Sequence, residues 1–441
     1  MKKVISIVMV LLMAVALVTG CNSSTPAATS GGNDTPAAQT GGNNTPAAPA
    51  DNAPAAPADN APAAPADNAP AAPADNAPAA PAGIPILNAD ATKRYEEAYA
   101  FIDGITKEAA AYDPSAAKYH YRLNTHEPAT SAPSVLCYAW SDAVLAATGG
   151  DVYIEIGPSN AFCSGGTMEA LNELIAGSFD FVFTLPCYFK GYMPLSLVMQ
   201  NPALKTPNVT VGSYAMWELY KNSPEIQQEY ANNGETLFLW VNNPSPLSYK
   251  GSAQLSDISE IKGNIRGNNG PAQLFIQEVG ASIYSCGITD VYTNVSTGVI
   301  DYLITDWHGI YSFNLYDTGV LNNYLDVNIG CSDFLLMGNS NTWADIEKNG
   351  YADAIKSVSG DYLYNIIGIF ESYEANGRSS AVANGGTIYM PTAALQAQMD
   401  TAFDNVAQRW ISENGPSAQA IYDKAAELVK EYSAIYKSLT D

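Results

Sequence analysis

Apolar and polar residues follow a regular order in the first part of the folded chain. Residues 119–125 and 151–158 alternate in the way that half-buried strands do. Residues 132–150 have the spacing of a helix that ends at glycine, and residues 165–185 predict a second helix followed by an apolar strand. The order strand, helix, strand, helix, strand predicts a mostly parallel sheet with helices on its faces.

A second set of elements follows further along the chain. Residues 235–243 predict a strand, and residues 255–267 predict a helical turn followed by a short strand. Two helices are predicted over 271–281 and 289–298, and another strand over 299–307. Because strands and helices alternate again, the chain is predicted to be an α/β protein throughout this part.

Helical spacing dominates both ends of the folded part. Residues 88–112 place their aromatic and aliphatic residues near one face of a helix. From residue 343 onward apolar residues recur at three- and four-residue spacing, most clearly over 394–415 and 418–439. The folded part, about 85–441, is longer than one ordinary core supports, so we expect two lobes and a helical C-terminus.

The first 21 residues have the order of a secretory signal. Lys2 and Lys3 precede an apolar run, and the run ends in VTGC at Cys21. Small residues before a cysteine resemble the lipobox of bacterial lipoproteins, which would make Cys21 the acylated first residue of the mature chain. The alternative is a single transmembrane anchor, although the run is shorter than the roughly 20 residues that a span needs.

Residues 22–84 have the composition of a tether. The unit DNAPAAPA recurs every eight residues from Asp51 to Asp75. A segment of alanine and proline without aromatic residues cannot build a core, and its proline content favours extended polyproline II. At about 3.1 Å per residue the segment could reach roughly 190 Å. This reach suits a thick cell wall, which favours the surface of a Gram-positive-type bacterium over a periplasm.

Charge excludes some partners and draws attention to one cation. The chain has 44 acidic and 20 basic residues, and residues 85–441 carry a net charge of −21. This balance argues against nucleic acid or an anionic membrane as a partner. Only five of the basic residues are arginines, and Arg266 lies after an isoleucine in a short predicted strand with glycines close on both sides.

The sequence lacks the signatures of the common enzymes. It has three histidines and no H-E-x-x-H, G-x-S-x-G, Walker or G-x-G-x-x-G motif, and no spacing that indicates a metal site or a cofactor. A hydrolase that uses His126 or His308 with a serine stays an alternative, as does a surface adhesin that recognises a protein. Five widely spaced cysteines follow Cys21 without a CxxC motif, so at least one thiol is expected to be free.

Several strings resemble one family of transport receptors. They are GGTMEALNELIAGSFDFVFT, SAQLSDISEIKGNIRGNN, TDVYTNVSTGVIDY, WADIEKNG and MDTAFDNVAQRW. Their order and spacing resemble the solute-binding proteins of TRAP transporters, the tripartite ATP-independent periplasmic family. The resemblance covers about residues 119–412 and leaves 85–118 outside it.

The resemblance implies a type II-like, two-lobed periplasmic-binding-protein fold whose ligand cleft lies between the lobes. Lobe 1 is expected over 119–242 with part of 331–370, and lobe 2 over 243–330 with part of the C-terminal helices 371–441. Residues 85–118 form an extra N-terminal helical segment. The implied function is an extracytoplasmic receptor, not an enzyme, that captures a small organic carboxylate and delivers it to the membrane subunits of a TRAP permease.

The resemblance also gives Arg266 a role, because the arginine of this step pairs with a ligand carboxylate in that family. A guanidinium presents a planar fork that fits a carboxylate. Thr305 occupies a frequent ligand position, and Leu185 follows Thr184 where some members place a carboxylate. The cleft is therefore expected to hold a monocarboxylate with an apolar or aromatic body, with a small dicarboxylate as the second choice.

Further candidates come from strand ends, where open α/β sheets bind ligands, and from aromatic residues that could form a wall. Asp306 could instead orient the Arg266 guanidinium. The strand-end candidates are His126, Glu127, Asn160 and Tyr188, and the aromatic candidates are Trp240, Tyr292 and Trp307.

Overall fold

The computed structural model describes residues 89–242, 244–251, 253–330 and 332–441. The predicted signal, the predicted lipidation site Cys21, the predicted tether and Cys331 lie outside the described residues. Among the described cysteines, Cys137, Cys163, Cys187 and Cys286 are free thiols. In the described part of the chain, no helix is both long enough and apolar enough to cross a membrane.

The first sheet contains five strands in the order β2-β1-β3-β10-β4. β1 runs parallel to β2 and β3, as the sequence predicts, but β10 runs antiparallel to both β3 and β4. The sheet is therefore mixed, and the prediction of a mostly parallel sheet holds only for its first three strands. These strands are β1 (Tyr119–Thr125), β2 (Val152–Gly157), β3 (Phe181–Thr184), β4 (Glu235–Asn242) and β10 (Ser332–Gly338).

The second sheet contains six short strands in the order β11-β9-β5-β8-β6-β7. β6 is parallel to both β7 and β8, whereas β5 is antiparallel to β8 and β9. The predicted strand over 299–307 shortens to three residues. The strands are β5 (Leu247–Tyr249), β6 (Asn264–Arg266), β7 (Ser282–Ile283), β8 (Tyr302–Ile304), β9 (Asn323–Leu325) and β11 (Thr387–Tyr389).

Helices cover the faces of both sheets. The long C-terminal helices are confirmed, whereas the helix predicted within 165–185 is only six residues long and follows a 3-10 turn. The helices are α1 (Ala91–Ala109), α2 (Ala132–Ala147), α3 (Ala170–Ile175), α4 (Val209–Asn222), α5 (Pro224–Ala231), α6 (Pro271–Glu278), α7 (Ile288–Ser296), α8 (Trp307–Ser312), α9 (Ser340–Lys348), α10 (Ala352–Ser357), α11 (Ile367–Ala383), α12 (Ala393–Glu413) and α13 (Ala418–Thr440).

The N-terminal helix α1 is fixed by a buried ion pair. Arg94 Nε lies 2.8 Å from Glu371 Oε2 on α11, and each side chain is less than one-tenth exposed. Gly368 lets the two helices meet closely, because a Cβ at that position would lie 2.4 Å from the Arg94 carbonyl oxygen. α1 thus packs against α2 and α11 as part of the folded protein.

Two neighbouring chain segments connect the sheets. One runs from β4 to β5 and the other from β9 to β10, and they are joined because Ser245 N donates to Asn328 Oδ1 and Ile329 N donates to the Ser245 carbonyl oxygen. Gly330 has a φ of +121°, and a Cβ there would lie 3.0 Å from the Gln200 carbonyl oxygen. A side chain at this point would disturb the second connection.

Candidate ligand-binding site

A small cavity lies where strands of both sheets end. It contains about 250 Å³ of space that protein atoms do not occupy. This figure includes space that is open to solvent. Its wall includes His126 and Glu127 after β1, Leu185 and Tyr188 after β3, Arg266 at the end of β6, Thr305 and Asp306 after β8, and Ser332 and Phe334 in β10.

Arg266 is the buried cation of this cavity, with 1% of its surface exposed. Its Nη2 donates to the Tyr188 hydroxyl at 3.2 Å, and both Nε and Nη2 lie 3.4 Å from the Cys286 carbonyl oxygen. Nη1 has no hydrogen-bond partner among the described residues, and no described carboxylate forms an ion pair with this guanidinium. A buried charge needs a partner of opposite sign, so the site is suited to an anion.

The glycines beside Arg266 serve the local packing. Gly263 has a φ of +89°, and a Cβ there would lie 2.4 Å from Asp301 Oδ2. A Cβ on Gly267 would lie 3.2 Å from the Ile276 side chain and 3.3 Å from Ala272. These contacts place β6 tightly against α6 and β8, which fixes the direction in which Arg266 leaves the strand.

Tyr188 links the two halves of the cavity. It lies in a 3-10 turn after β3, and its hydroxyl accepts the hydrogen bond from Arg266 of the second sheet. Burial raises the pKa of Tyr188 to about 12, against the opposing influence of the Arg266 charge. The hydroxyl therefore stays protonated at neutral pH and can itself donate toward the cavity.

We expect Tyr188→Phe to weaken ligand binding about tenfold. The variant removes one hydrogen bond to a charged group, an interaction that contributes about 1.5–3 kcal/mol, and it loosens the contact between the two sheets. Calorimetry with an acid that binds the wild type measures the change. Tyr192→Phe is the matched control, since Tyr192 is 47% exposed. Equal affinities for Tyr188→Phe and wild type would exclude this contact from binding.

His126 and Glu127 form a buried polar corner at the end of β1, each with 2% of its surface exposed. The His126 ring stacks on Phe334 with centroids 6.3 Å apart and meets Tyr188 edge-on. His126 Nε2 lies 3.3 Å from Glu127 Oε1. Within the described chain neither ring nitrogen has a hydrogen-bond partner, and Glu127 Oε2, the other carboxylate oxygen, has none either.

A separate network holds the end of β8. Asp306 caps α8 by accepting from Gly309 N at 2.7 Å, and it also accepts from Ser332 Oγ at 2.8 Å. Asn268 Nδ2 donates to Ser332 Oγ at 2.7 Å. Asp306 therefore holds β10 and α8 in place. The ion-pair partner of Asp306 is His308, and among the described residues the Arg266 guanidinium donates to Tyr188 and to the Cys286 carbonyl oxygen.

The pair of Asp306 and His308 is held in its charged form. Burial opposes charge on both groups, but their mutual hydrogen bond and attraction prevail, so the pKa of Asp306 is lowered and the pKa of His308 is raised. The Glu127 charge also contributes to the raised pKa of His308. The pair adds little net charge to the cavity, whose wall also contains the side chains of Arg266, Glu127 and His126.

Of the ten residues predicted to bind ligand, Arg266, Thr305, His126, Glu127 and Tyr188 line the cavity, and the other five do not. Trp240 packs against Phe183 and Phe334, and Trp307 lies under Arg378. Asn160 forms hydrogen bonds with Asn124 and Thr167. Tyr292 is 40% exposed on α7. The fifth, Thr184, is buried within β3.

Sequence reasoning missed several lining residues. Asn268 follows Arg266 by two positions and has a polar side chain, which is a signal that could have been used. Ser332 and Phe334 lie on β10, a strand that the hydrophobic pattern did not reveal. Ile288 and Phe313 add apolar surface from the neighbouring helices.

Comparisons with known proteins agree with this architecture. Residues 127–414 match the sequence model of the bacterial extracellular solute-binding proteins, family 7 (DctP). A marine metagenome TRAP solute-binding protein specific for aromatic acids, solved with 3-hydroxybenzoate, has a TM-score of 0.65 at 19% identity and covers 72% of this chain and 99% of its own. A TRAP solute-binding protein from Rhodoferax ferrireducens, solved with copurified benzoate, has a TM-score of 0.63 at 22% identity and covers 71% and 98%.

A curated relative is the outer membrane transporter protein TsaT of Comamonas testosteroni. It is 22% identical over 297 residues, which is 64% of this chain and 83% of that protein. Two sheets, a cavity at their strand ends and the resemblance of the whole fold define a two-lobed α/β solute-binding protein. The chain belongs to family 7 of the bacterial extracellular solute-binding proteins, the receptors of TRAP transporters. The expected fold class and family are thereby confirmed.

Proposed function

We propose that this receptor captures a small organic monocarboxylate and passes it to the membrane subunits of a TRAP-type permease. The observation that carries the proposal is the Arg266 guanidinium, which is buried in the cavity, has Nη1 free of hydrogen bonds to described residues and forms no ion pair with a described carboxylate. A ligand carboxylate would supply both the missing charge and the missing hydrogen bond.

The walls of the cavity support a ligand with an aromatic or apolar body. Leu185, Ile288, Phe313 and Phe334 contribute apolar surface, and Arg266 is the only arginine or lysine among the described lining residues. A dicarboxylate would lack a second strong cation. The two structural relatives described above hold benzoate and 3-hydroxybenzoate, which are monocarboxylates with an aromatic body.

The receptor is proposed to work outside the cytoplasm on a lipid anchor at Cys21. The Pro- and Ala-rich segment 22–84 would let the folded part reach across a cell wall toward its permease. Ligand binding would favour closure about the two hydrogen-bonded connections between the sheets, because the ligand contacts residues of both.

Binding without turnover is proposed as well. His308 Nε2 lies 3.0 Å from Ser312 Oγ, and His308 also pairs with Asp306. Serine, histidine and aspartate, the three residue types of a hydrolase triad, are therefore present. Ser312, however, lies four residues after His308 on the same helix and does not line the cavity. A nucleophile must face its substrate, so this arrangement favours a structural role for His308.

A screen of acids tests the function. Melting temperatures of the purified protein would be recorded with benzoate, hydroxybenzoates, mandelate and pyroglutamate, with benzamide as the uncharged control. A ligand that binds only the folded state raises the melting temperature by mass action, so we expect a shift with at least one acid and none with benzamide. No shift with any acid would favour the adhesin alternative, and release of a product would favour an enzyme.

A further inference from the structure

His126 and Glu127 form a buried corner of the cavity whose polar side-chain atoms lack hydrogen-bond partners among the described residues. Glu127 is 2% exposed, and its Oε2 accepts no hydrogen bond from any described residue. Leaving a buried acceptor without a donor costs about 1–3 kcal/mol, and more when the group is charged. The carboxylate lines the same cavity as Arg266, so a ligand there can supply the donor.

The backbone holds this corner in position. The Glu127 carbonyl oxygen accepts from Ser159 N at 2.9 Å and from Ser134 Oγ at 3.3 Å, and Glu127 N donates to Thr125 Oγ1 at 3.2 Å. The neighbouring His126 ring is held by Phe334 and Tyr188. The backbone of Glu127 is therefore fixed at the cavity wall before ligand arrives, and its side chain is buried there.

Charge points to the same kind of ligand. The Asp306–His308 pair is close to neutral, and the cavity wall further contains the Arg266 guanidinium from the second sheet and the Glu127 carboxyl group from the first, with His126 Nε2 3.3 Å from Glu127 Oε1. A ligand carboxylate beside Arg266 pairs with the guanidinium but supplies no hydrogen-bond donor to Glu127. A plain dicarboxylate would place its second negative charge in the same cavity as Glu127, which is unfavourable.

We propose that the ligand is a carboxylic acid that also carries a hydrogen-bond donor, such as a hydroxyl, an amide N–H or an ammonium group, and that Glu127 accepts from that donor with His126 beside it. This inference rests on the carboxylate-binding function proposed above and narrows it. Arg266 fixes the acid group, and Glu127 selects among acids of similar size.

Matched ligand pairs test this selection by calorimetry. Each of the three hydroxybenzoates would be compared with its methoxybenzoate, mandelate with phenylacetate, and pyroglutamate with cyclopentanecarboxylate. 3-(Aminomethyl)benzoate separates an ammonium donor from a neutral one. We expect at least one donor-bearing acid to bind tenfold or more tightly than its donor-free partner. If no pair shows a preference, or if the donor-free acids bind more tightly, the proposal is overturned.

The Glu127→Gln variant assigns the preference to this side chain. The amide keeps the shape of the carboxyl group but accepts more weakly, so we expect the preference within the best pair to fall below threefold while binding of the donor-free acid is unchanged or improved. Glu155→Gln, at an exposed position of the same sheet, should retain the full preference. If Glu127→Gln keeps the full preference for the donor-bearing acid, the role of Glu127 is refuted, even when Arg266→Met abolishes binding. If the wild type binds no acid at all, the carboxylate function itself is overturned.

Discussion

Arg266→Met is expected to weaken binding of the best acid about a hundredfold without lowering the melting temperature of the ligand-free protein. Two hydrogen bonds between a guanidinium and a carboxylate contribute about 1.5 kcal/mol each at the low end of the measured range, and 2.8 kcal/mol corresponds to a factor of about 100. Methionine has similar length, so it fills much of the same space.

The expected absence of a drop in melting temperature follows from the surroundings of Arg266. In the described chain the guanidinium is buried without a carboxylate partner, and replacing a buried charge by an apolar group of similar volume is often neutral or stabilising. Loss of the hydrogen bonds to Tyr188 and to the Cys286 carbonyl offsets part of that gain. Calorimetry for affinity and thermal unfolding without ligand measure the two effects.

Two further variants separate the possible reasons for a loss of affinity in Arg266→Met. Arg266→Lys keeps the charge but lacks the planar fork, so its affinity should lie between those of Arg266→Met and the wild type. Arg409→Met removes an exposed arginine that pairs with Glu413 on the same helix and should leave affinity unchanged. A large drop in melting temperature for Arg266→Met with normal affinity would show that Arg266 is a structural residue.

The elements that the sequence revealed are those with a visible period. The first four residues of β1 and of β2 alternate in burial, and α12 and α13 bury one stripe of an otherwise polar helix. Arg266 was also found from the sequence, because a short strand and its flanking glycines surround one of only five arginines.

β10 shows why the rest of the fold was hidden. All seven of its residues are buried between β3 and β4, so the strand has no polar face and no period of two. It also enters the first sheet from the distant part of the chain that follows β9. The three-residue strands of the second sheet are too short to show any period.

The aromatic candidates illustrate a different limit. The sequence indicates that a tryptophan is buried, but it does not indicate whether the ring meets a ligand or other side chains. Trp240 lies among Phe183, Phe334 and Phe370 in the core, and it is Phe334, on the missed strand, that lines the cavity. The sequence therefore predicted an aromatic cavity wall, but which residues form that wall depends on how β10 pairs with β3 and β4.

The same strand carries a buried acid whose protonation should control stability. Asp333 is 1% exposed and accepts from Gln200 Nε2, while its Oδ2 has no partner within the described part of the chain. Burial raises the pKa of Asp333 from 3.8 to about 7, although the Gln200 hydrogen bond acts in the opposite direction. Between these two pH values the unfolded chain has released the proton and the folded protein has kept it.

The free energy of unfolding should therefore fall as pH rises from about 4 to 7, by roughly 1.4 kcal/mol per pH unit and on the order of 4 kcal/mol in all. Asp333→Asn cannot ionise and should lose this part of the pH dependence. We expect the variant to resemble the wild type near pH 4 and to be more stable, by up to that amount, at pH 8.

Denaturant unfolding of wild type and Asp333→Asn at pH 4.5 and 8 measures this difference, and Asp404→Asn, at an exposed position of α12, is the control. His308, whose pKa is raised, also makes stability fall with rising pH, but it is present in both proteins and cancels. A variant that is less stable than wild type by the same amount at both pH values would show that Asp333 stabilises the fold as an ionised acceptor. Asp333 adjoins Ser332 of the cavity wall, so the expected result would mean that the protein holds a neutral acid beside that wall residue below about pH 7 and an ionised one above it.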